Sequence, residues 1–304
     1  MLVERGFLPR TPHGACSTPK TTTYRAFVWG THLVATLDSP SLDGLLPELE
    51  QTARAILPQL TAFHVAYRRD PRDVAAVPAT RRGPTTPDES VIVQEGPARF
   101  AVQPWLGKDA GLFTDMREVR AWLRPHWAGR RVLNIFAHTG AFSVAAALGG
   151  ATEVETVDLA EPYLLRARVN FQLNGLDPAT YSFAAEESFH ALDRLRRAGR
   201  KFDIVVVDPP GFSHSDAGDW RGEKDWPRLA AACIRVLDAG GWMVAASNLG
   251  SQSPREFGGA LQQGAERAGR ELRILHEGTP PIDHCAALHF PEGRYFKCWV
   301  LEAN

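Results

Sequence analysis

The chain has 304 residues, 44% hydrophobic and 23% charged, which is the composition of a soluble globular protein rather than of a disordered or fibrous one. Its 34 basic and 35 acidic residues give a formal net charge of −1, so no overall field marks a nucleic-acid or membrane partner. No stretch reaches the roughly 18 uninterrupted apolar residues of a membrane helix, and the N-terminus lacks a signal-peptide core. We expect a cytoplasmic protein with two folded units and no membrane contact; nothing in the pattern indicates an oligomeric state.

The first third of the chain predicts a flexible tail and then a small α+β module. Residues 1–22 are rich in Thr, Pro and Gly and show no hydrophobic periodicity. Apolar residues then alternate in a hairpin pattern around Gly30, recur at helical spacing over 45–60, and alternate again in a short strand and a second hairpin. We predict a tail over 1–22, the module over 23–103 and a larger domain over 104–304.

Beyond residue 104, short apolar strands alternate with amphipathic helices. The strands are RVLNIF, EVETVD, TYSFA, DIVVVD and WMVAAS, and the helical patterns between them begin near Ala141, Glu161, Ser188 and Asp225. Such alternation is typical of a parallel sheet covered by helices on both faces. Two last strands joined by a loop predict an antiparallel hairpin. The sequence thus predicts an α/β fold with a doubly wound, mostly parallel seven-stranded sheet and a terminal antiparallel hairpin.

Polar residues follow each predicted strand, where a doubly wound sheet binds its ligands. Thr139 and Gly140 form a turn into a helix, and Asp158 lies at the end of the next strand, at the spacing of an acid that takes ribose hydroxyls. Glu186, Glu187 and Ser188 follow the third strand, and DPPGF (208–212) follows the fourth. No G-x-G-x-x-G motif is present, and each acid alone can equally serve as a helix cap or turn former.

Together these pieces resemble a known enzyme family. From Gly107 to Trp299 the chain resembles the large-subunit (23S) ribosomal RNA methyltransferases, whose members use S-adenosylmethionine to make 5-methylcytosine or 7-methylguanine. The resemblance rests on LGKDAGLFTDMREVR, VLNIFAHTGAFSVAAALGGA, VDLAEPYLLRARVNFQLNGL, KFDIVVVDPPGFSHS and FPEGRYFKCW, which occur in the family's order. It implies S-adenosylmethionine as the cofactor and RNA, in particular ribosomal RNA, as the substrate.

The resemblance also implies roles for individual residues. In the family's pattern the loop at 138–140 passes the methionine part of the cofactor, Asp158 takes the ribose hydroxyls, and Glu187 with Ser188 reads the adenine. The segment with Phe113, Asp115 and Arg117 closes over the cofactor, and Arg117 can meet the methionine carboxylate. His138 stands where several relatives carry Tyr. The residues expected to contact the cofactor are Phe113, Asp115, Arg117, Asn134, Phe136, His138, Thr139, Gly140, Asp158, Glu187, Ser188 and Asp208.

The loop after the fourth strand is expected to face the acceptor. Pro209 and Pro210 stiffen the turn and leave its carbonyl oxygens as acceptors for a base, because proline fixes φ and lacks an N–H group. Phe212 can stack on that base, a contact of roughly 1–3 kcal/mol. The alternative is a rigid turn in which Phe212 caps the core. With Asp208 and Asn248, these residues form the predicted catalytic set.

The identity of residue 248 helps to predict which atom of the base receives the methyl group. Cytosine carbon-5 needs a thiolate to add to carbon-6, and family members with that activity carry a Cys at this position. Cys233 and Cys298 lie in apolar helix and strand patterns that predict burial, which leaves Cys285 in a loop as the only substitute. A ring nitrogen needs no thiolate. The sequence therefore favours a ring or exocyclic nitrogen over cytosine carbon-5.

Several alternatives remain open. The basic run 193–201 can contact phosphates or form a solvated face. His284 beside Asp283 can act as a general base or as a structural hydrogen-bonding residue. Residues 1–22 leave no room for a separate RNA-binding domain, so the module 23–103 would serve that role, or the enzyme acts on a small molecule or a protein. A cofactor-binding regulator without catalysis is the third possibility. The four cysteines show no zinc spacing, so we expect no metal.

Overall fold

The structure is a computed structural model, which describes residues 24–37, 40–67, 90–104, 110–215, 218–284 and 294–304. The predicted tail 1–22 lies outside these residues. Backbone contacts divide the chain into two units, Met1–Glu95 with Phe100–Leu112 and Gly96–Arg99 with Phe113–Asn304. The division falls near the predicted boundary after residue 103, which stays a prediction.

The first unit contains the elements in the order that the hydrophobic pattern predicts. They are β1 (Tyr24–Trp29), β2 (His32–Leu37), α1 (Leu46–Ile56), β3 (Ala62–Tyr67), β4 (Val91–Glu95) and β5 (Ala98–Val102), of which the first two residues of β5 belong to the second unit. β1 and β2 form an antiparallel hairpin, and β3 pairs with β2 in parallel. Gly30 makes the hairpin turn with φ +61°, a conformation that glycine adopts without strain. Apolar residues of the three strands and of α1 form the core of this unit.

The second unit contains the doubly wound sheet. Its helices are α2 (Arg117–Leu123), α3 (Ala141–Leu148), α4 (Glu161–Leu173), α5 (Ser188–Arg197), α6 (Gly222–Val236) and α7 (Pro254–Ala268). Its strands are β6 (Arg131–Ile135), β7 (Glu153–Asp158), β8 (Ser182–Ala185), β9 (Phe202–Val207), β10 (Phe212–Ser215), β11 (Gly218–Arg221), β12 (Leu237–Ser247), β13 (Leu272–Gly278) and β14 (Lys297–Ala303).

Seven of these strands form one sheet in the order β13-β14-β12-β9-β6-β7-β8. The five strands from β12 to β8 are parallel, and β14 runs antiparallel to both β12 and β13. The predicted mostly parallel sheet with its terminal antiparallel hairpin is confirmed. The strand order reverses between β6 and β9, so the loops after these two strands flank the switch point where such folds bind ligands.

Both faces of the sheet are covered by helices. Leu133 and Ile135 of β6 face a core formed with α5, α6 and α7. Asn134 alternates with them and therefore points to the opposite face, where its amide donates to the Ser143 hydroxyl of α3 at 2.9 Å. Two-sided burial explains why the central strands read as nearly continuous apolar runs.

The sequence-based prediction for this unit lacks helix α2, the β10–β11 hairpin and helix α7. The antiparallel hairpin β10–β11 follows DPPG directly and places an ordered ribbon where only a loop was expected. Helix α7 begins with a capping box, in which Ser253 and Glu256 bond each other's backbone N–H groups, with Pro254 at its first position. This capping box and its proline lie within four consecutive residues, so the start of α7 could have been predicted from the sequence.

Candidate active site

The loop after β6 holds an unusual backbone. Phe136 and His138 have φ of 54° and 51°, in the left-handed region that costs a non-glycine residue about 1–2 kcal/mol. Gly140 follows with φ +73° and starts α3, and a Cβ atom on it would lie 2.9 Å from the Cβ of Ala167. Such strain persists only where the surroundings fix the conformation, which is typical of ligand-binding loops.

Asp158 is one of the groups that fix this loop. One of its carboxylate oxygens accepts the His138 backbone N–H at 2.7 Å, and the other accepts the Ala160 N–H at 3.0 Å. Each carboxylate oxygen can accept a further hydrogen bond. The end of β7 is therefore joined to the loop after β6, and the carboxylate retains capacity for a diol.

Buried polar groups support the loop from below. Asn134 is 2% exposed, and the hydroxyl of Ser143 receives hydrogen bonds from both its amide and the Thr156 hydroxyl. Asn170 donates to the Thr139 carbonyl at 2.9 Å. The predicted contact of Asn134 with the cofactor does not fit this position, because its side chain lies beneath the loop on the α3 face.

The predicted adenine-reading residues begin α5. Glu187 is the N-cap, and its carboxylate accepts the His190 N–H at 3.0 Å, while Ser188 is buried. Glu187 therefore has the capping role that was the alternative for this acid. Capping engages one carboxylate oxygen, so a ligand contact through the other remains compatible with the geometry.

The segment before α2 is tied to the end of the chain. The Tyr295 hydroxyl donates to Asp115 at 2.9 Å, and Arg117 donates twice to Asp283, at 2.8 and 3.0 Å. His284 lies 2.9 Å from the Thr114 hydroxyl oxygen. Both hydrogen bonds come from the Nη2 atom of Arg117, so this guanidinium forms an ion pair within the protein.

An exposed ring lies beside this segment. Phe113 is 48% exposed, and its ring lies 5.0 Å from that of His138, which in turn lies 4.4 Å from Tyr163. Aromatic rings thus border the loop after β6 on the side of the segment before α2. A large apolar side chain left open next to a strained loop is consistent with the predicted closure over a ligand.

Asp208 ends β9 in an environment that disfavours its charged form. Burial, together with the nearby carboxylate of Asp115, raises the pKa of its carboxyl to about 7, and the positive charge of Arg120 partly opposes this shift. The side chain keeps some accessible surface. A carboxyl that titrates near neutrality in a cleft is typical of a functional site.

We call residues 208–212, which follow β9, the acceptor loop. Hydrogen bonds hold this loop in addition to the stiffness of its two prolines. The indole N–H of Trp220 in β11 donates to the Pro210 carbonyl at 2.6 Å, and the Gly222 N–H donates to the Gly211 carbonyl at 3.0 Å. The Pro210 carbonyl thus already accepts one hydrogen bond, and its second lone pair is available, so its contact with a base stays a prediction. Phe212 is 59% exposed and so does not cap the core.

Asn248 lies beside this loop. It is exposed, and its Oδ1 atom is 3.7 Å from the position of a Cβ on Gly211, so the structure brings the two predicted acceptor elements together.

Sequence reasoning missed Lys297, a buried residue whose ammonium group donates to the carbonyls of Leu249 and Tyr295, both at 2.7 Å. Burial lowers the pKa of this ammonium. Lys297 anchors the loop that carries Asn248.

The described cysteines are buried. Cys233 lies in the core between α6 and its neighbours, and Cys298 on β14 is 1% exposed. Burial raises the pKa of both thiols, and for Cys298 the carboxylates of Asp208 and Asp115 raise it further. The predicted burial of both is confirmed, and neither is disposed to form a thiolate. Cys16 and Cys285 lie outside the described residues.

The basic run 193–201 is paired within the fold. Its cations bond carboxylates or carbonyls of the protein: Arg194 with Glu155 and Glu186, Arg196 and Arg197 with Asp193, Arg200 with Glu153 and Glu155, and Lys201 with the Arg235 carbonyl. This compensation favours the reading of the run as a solvated, ion-paired surface.

Two absences concern the residues that the structure describes. No group of three or more His, Cys, Asp or Glu side chains is placed there to hold a metal ion. Over the same part of the chain, no helix combines the length and the apolar character needed to cross a bilayer.

The strand order, the ligand loops at the carboxyl ends of β6, β7 and β9, and the antiparallel β14 define the class of the protein as a class I methyltransferase fold. The family model of S-adenosylmethionine-dependent methyltransferases matches residues 26–273. The chain therefore belongs to the S-adenosylmethionine-dependent methyltransferase family, which confirms the predicted enzyme class and its cofactor.

Curated relatives of the chain are named as ribosomal RNA methyltransferases. The chain is 36% identical over 222 residues to ribosomal RNA large subunit methyltransferase I of Aeromonas salmonicida. The matched region covers 72% of this chain and 55% of the relative. It is 34% identical over 278 residues to the protein of the same name from Tolumonas auensis, covering 90% of this chain and 69% of that one. The chain thus spans about half the length of the Aeromonas relative.

Solved structures share the fold. A methyltransferase in complex with SAH superposes with a TM-score of 0.80 at 24% identity, covering 92% of this chain and 71% of that one. The S-adenosylmethionine-dependent methyltransferase from Agrobacterium tumefaciens superposes with a TM-score of 0.65 at 19% identity, covering 92% and 86%. Both likenesses confirm the predicted fold class.

Proposed function

We propose that the protein transfers the methyl group of S-adenosylmethionine to a nitrogen of a base in RNA, with RNA of the large ribosomal subunit as the substrate. The observation that carries the proposal is the contact of the acceptor loop after β9 with Asn248 after β12, at the carboxyl edge of the sheet. Only β6 separates β9 from β7, the strand that ends in Asp158. The rRNA methyltransferase names of the relatives support the choice of RNA. Such a substrate places the enzyme in the cytoplasm.

Two features of the site support its binding of the cofactor. The Asp158 carboxylate has one hydrogen bond on each oxygen and capacity for two ribose hydroxyls, and the open ring of Phe113 faces the loop that passes the methionine part. Glu187 and Ser188 would read the adenine edge, and Arg117 would share its guanidinium between Asp283 and the cofactor carboxylate. When bound, the cofactor supplies an electrophilic methyl group on a sulfonium.

Methyl transfer then depends mainly on holding the acceptor atom in line with that methyl group. Asp208 and the exposed ring of Phe212 would bind the base, and Trp220 keeps the loop in one conformation through the Pro210 carbonyl. With the cofactor bound, a ring nitrogen with a free lone pair would take the methyl group as the carbon–sulfur bond breaks, and the positive charge would pass from the sulfonium to the base. No proton has to leave before attack.

The identity of residue 248 favours nitrogen over cytosine carbon-5. Carbon-5 chemistry requires a thiolate next to the base, and the position beside Gly211 carries an amide instead. Cys233 and Cys298 are buried with raised thiol pKa values. Nucleoside analysis tests this choice directly.

Unmodified large-subunit RNA is incubated with the protein and cofactor labelled in the methyl group, and the RNA is digested to nucleosides for mass spectrometry. We expect the label in a nitrogen-methylated nucleoside. Label in 5-methylcytosine would overturn the nitrogen assignment, and a Cys285→Ser variant would then show whether that thiol supplies the nucleophile. An unlabelled RNA would overturn the RNA assignment.

A methyltransferase acting on a small molecule or a protein is the second candidate. The net charge of −1 and the ion pairs of the run 193–201 favour it, because neither provides a general attraction for RNA. Salt-dependent RNA binding by the purified protein would exclude this candidate, whereas methylation of a small molecule in the absence of RNA would establish it.

A further inference from the structure

One leucine side chain fills the space beside two glycines. Gly211 belongs to the acceptor loop and Gly222 begins α6; we call these two residues the glycine pair. A Cβ atom on Gly211 would lie 2.7 Å from Cδ2 of Leu249, and one on Gly222 would lie 2.6 Å from Cδ1 of the same side chain. Non-bonded carbon atoms are optimally about 3.5–4.0 Å apart, so Leu249 occupies the room that a larger residue at either position would need.

The backbone conformation does not require glycine at either position. Neither Gly211 nor Gly222 has a φ in the positive range that favours glycine. At the start of a helix such as α6, alanine would also have the higher helix propensity. The Gly222 N–H donates to the Gly211 carbonyl at 3.0 Å, which joins the pair directly. The contact with Leu249 therefore accounts for the absence of a side chain at both positions.

Hydrogen bonds hold the backbone of Leu249. Its carbonyl oxygen accepts the Lys297 ammonium group at 2.7 Å and the Gln252 N–H at 3.2 Å. Lys297 is 5% exposed and also donates to the Tyr295 carbonyl at 2.7 Å. The side chain of Gln252 in turn accepts the Ser247 hydroxyl at 2.9 Å. Because the backbone is held in this way, the side chain of Leu249 would have to accommodate a methyl group added to the glycine pair.

The two methyl groups of Leu249 connect the two glycines mechanically. Both branch from one Cγ atom, so a rotation that moves Cδ1 away from Gly222 also moves Cδ2 relative to Gly211. Leu249 directly follows Asn248, whose Oδ1 atom lies 3.7 Å from the same Cβ position on Gly211. One side chain thus links the acceptor loop, the start of α6 and the residue predicted to lie beside the acceptor base.

We propose that Leu249 is a positioning residue for methyl transfer, which sets the distance between the acceptor loop and Asn248 by filling the space beside the glycine pair. The inference rests on the proposed function, which places the acceptor base at the acceptor loop. Leu249 then affects the alignment of the acceptor with the methyl group and leaves cofactor binding unchanged. A misplacement of about 1 Å can cost about 100-fold in the rate of an aligned reaction.

The test adds one methyl group beside Leu249 and removes one from its side chain. Gly222→Ala should lower kcat with large-subunit RNA about tenfold, because Leu249 must leave its place beside Gly211. Leu249→Val should lower kcat about threefold, because the shorter side chain no longer fills that space. The two changes should compensate each other, so the double variant should have a kcat at least about threefold above that of Gly222→Ala.

Gly259→Ala is the matched control. Gly259 lies in α7 with an ordinary φ, and a Cβ on it would meet no described atom within 4 Å beyond its chain neighbours and the backbone of its own helix. Its kcat should equal that of the wild type. The Kd for SAH should stay within about twofold in every variant, measured by titration calorimetry. If Gly222→Ala does not fold, Gly211→Ala serves the same purpose, because its Cβ would meet the other methyl group of Leu249.

The outcomes separate this inference from a structural effect and from the proposed function. If the wild type methylates RNA and the double variant is no faster than Gly222→Ala, the positioning role is wrong while the function stands. Compensation in the melting temperature without compensation in kcat would reduce Leu249 to a structural residue and overturn the proposal, as would a weakened Kd for SAH. If the wild type does not methylate the transcript, the function and the positioning role fall together.

Discussion

The raised pKa of Asp208 predicts that replacing this residue stabilises the protein at neutral and alkaline pH. Its pKa is about 7 in the folded state and about 3.9 in an unfolded chain, so the folded state binds more protons between pH 4 and 7. The free energy of unfolding of the wild type therefore falls as the pH rises through this window. Each pH unit well below the folded pKa changes the free energy of unfolding by about 1.4 kcal/mol, and the loss is roughly 2 kcal/mol from pH 5 to pH 7 because the slope declines near the pKa.

Asp208→Asn removes this dependence while keeping the shape of the side chain. The free energy of unfolding of the variant minus that of the wild type should rise by roughly 3 kcal/mol from pH 5 to pH 8, measured by urea denaturation at both pH values. Methyl transfer by the variant should fall about tenfold or more, because stability and activity often conflict at functional residues. Parallel pH profiles of the two proteins would refute the reasoning, since they would place the folded pKa of Asp208 near its ordinary value.

Three further variants test the site and its scaffold. Asp158→Ala should raise the cofactor Kd at least about tenfold in titration calorimetry, since it removes both the loop anchor and the diol acceptor; an unchanged Kd would contradict that role. Gly140→Ala should lower the free energy of unfolding by roughly 1–3 kcal/mol more than Gly129→Ala, because both glycines have positive φ but only the first would bring a Cβ against Ala167; equal losses would contradict the contact. Cys298→Ala should retain the methyl-transfer rate within about twofold, and a loss of activity without a loss of stability would point to thiol chemistry.

The sheet could be predicted because its signal is local. β7 spans Glu153–Asp158, the same residues as the predicted strand, and the helices α3, α4 and α5 begin at the predicted positions. Buried parallel strands are uniformly apolar, and the polar residues that end them mark the ligand edge without knowledge of the rest of the chain. The residue types at this edge also carried the family resemblance.

The site contacts could not be predicted to the same extent, because they join distant parts of the chain. Arg117 pairs with Asp283, which is 166 residues away, so the sequence alone left its charge open for the cofactor. The donor to the Pro210 carbonyl comes from Trp220 in a hairpin that the pattern around Phe212 did not reveal. Asn134 is a different case, since strand alternation with Leu133 already placed it on the face away from the α5–α7 core.

The left-handed backbone at Phe136 and His138 restricts how this loop can evolve. Glycine, asparagine and aspartate tolerate such φ values, whereas valine, isoleucine and threonine have branched Cβ atoms that collide with the backbone there. Substitutions that look conservative in a hydrophobicity comparison, such as Phe136→Ile, are therefore closed to the chain, while a change to glycine would relax the turn and remove its ring contacts at once. Variation among relatives at these two positions should follow backbone geometry before side-chain chemistry.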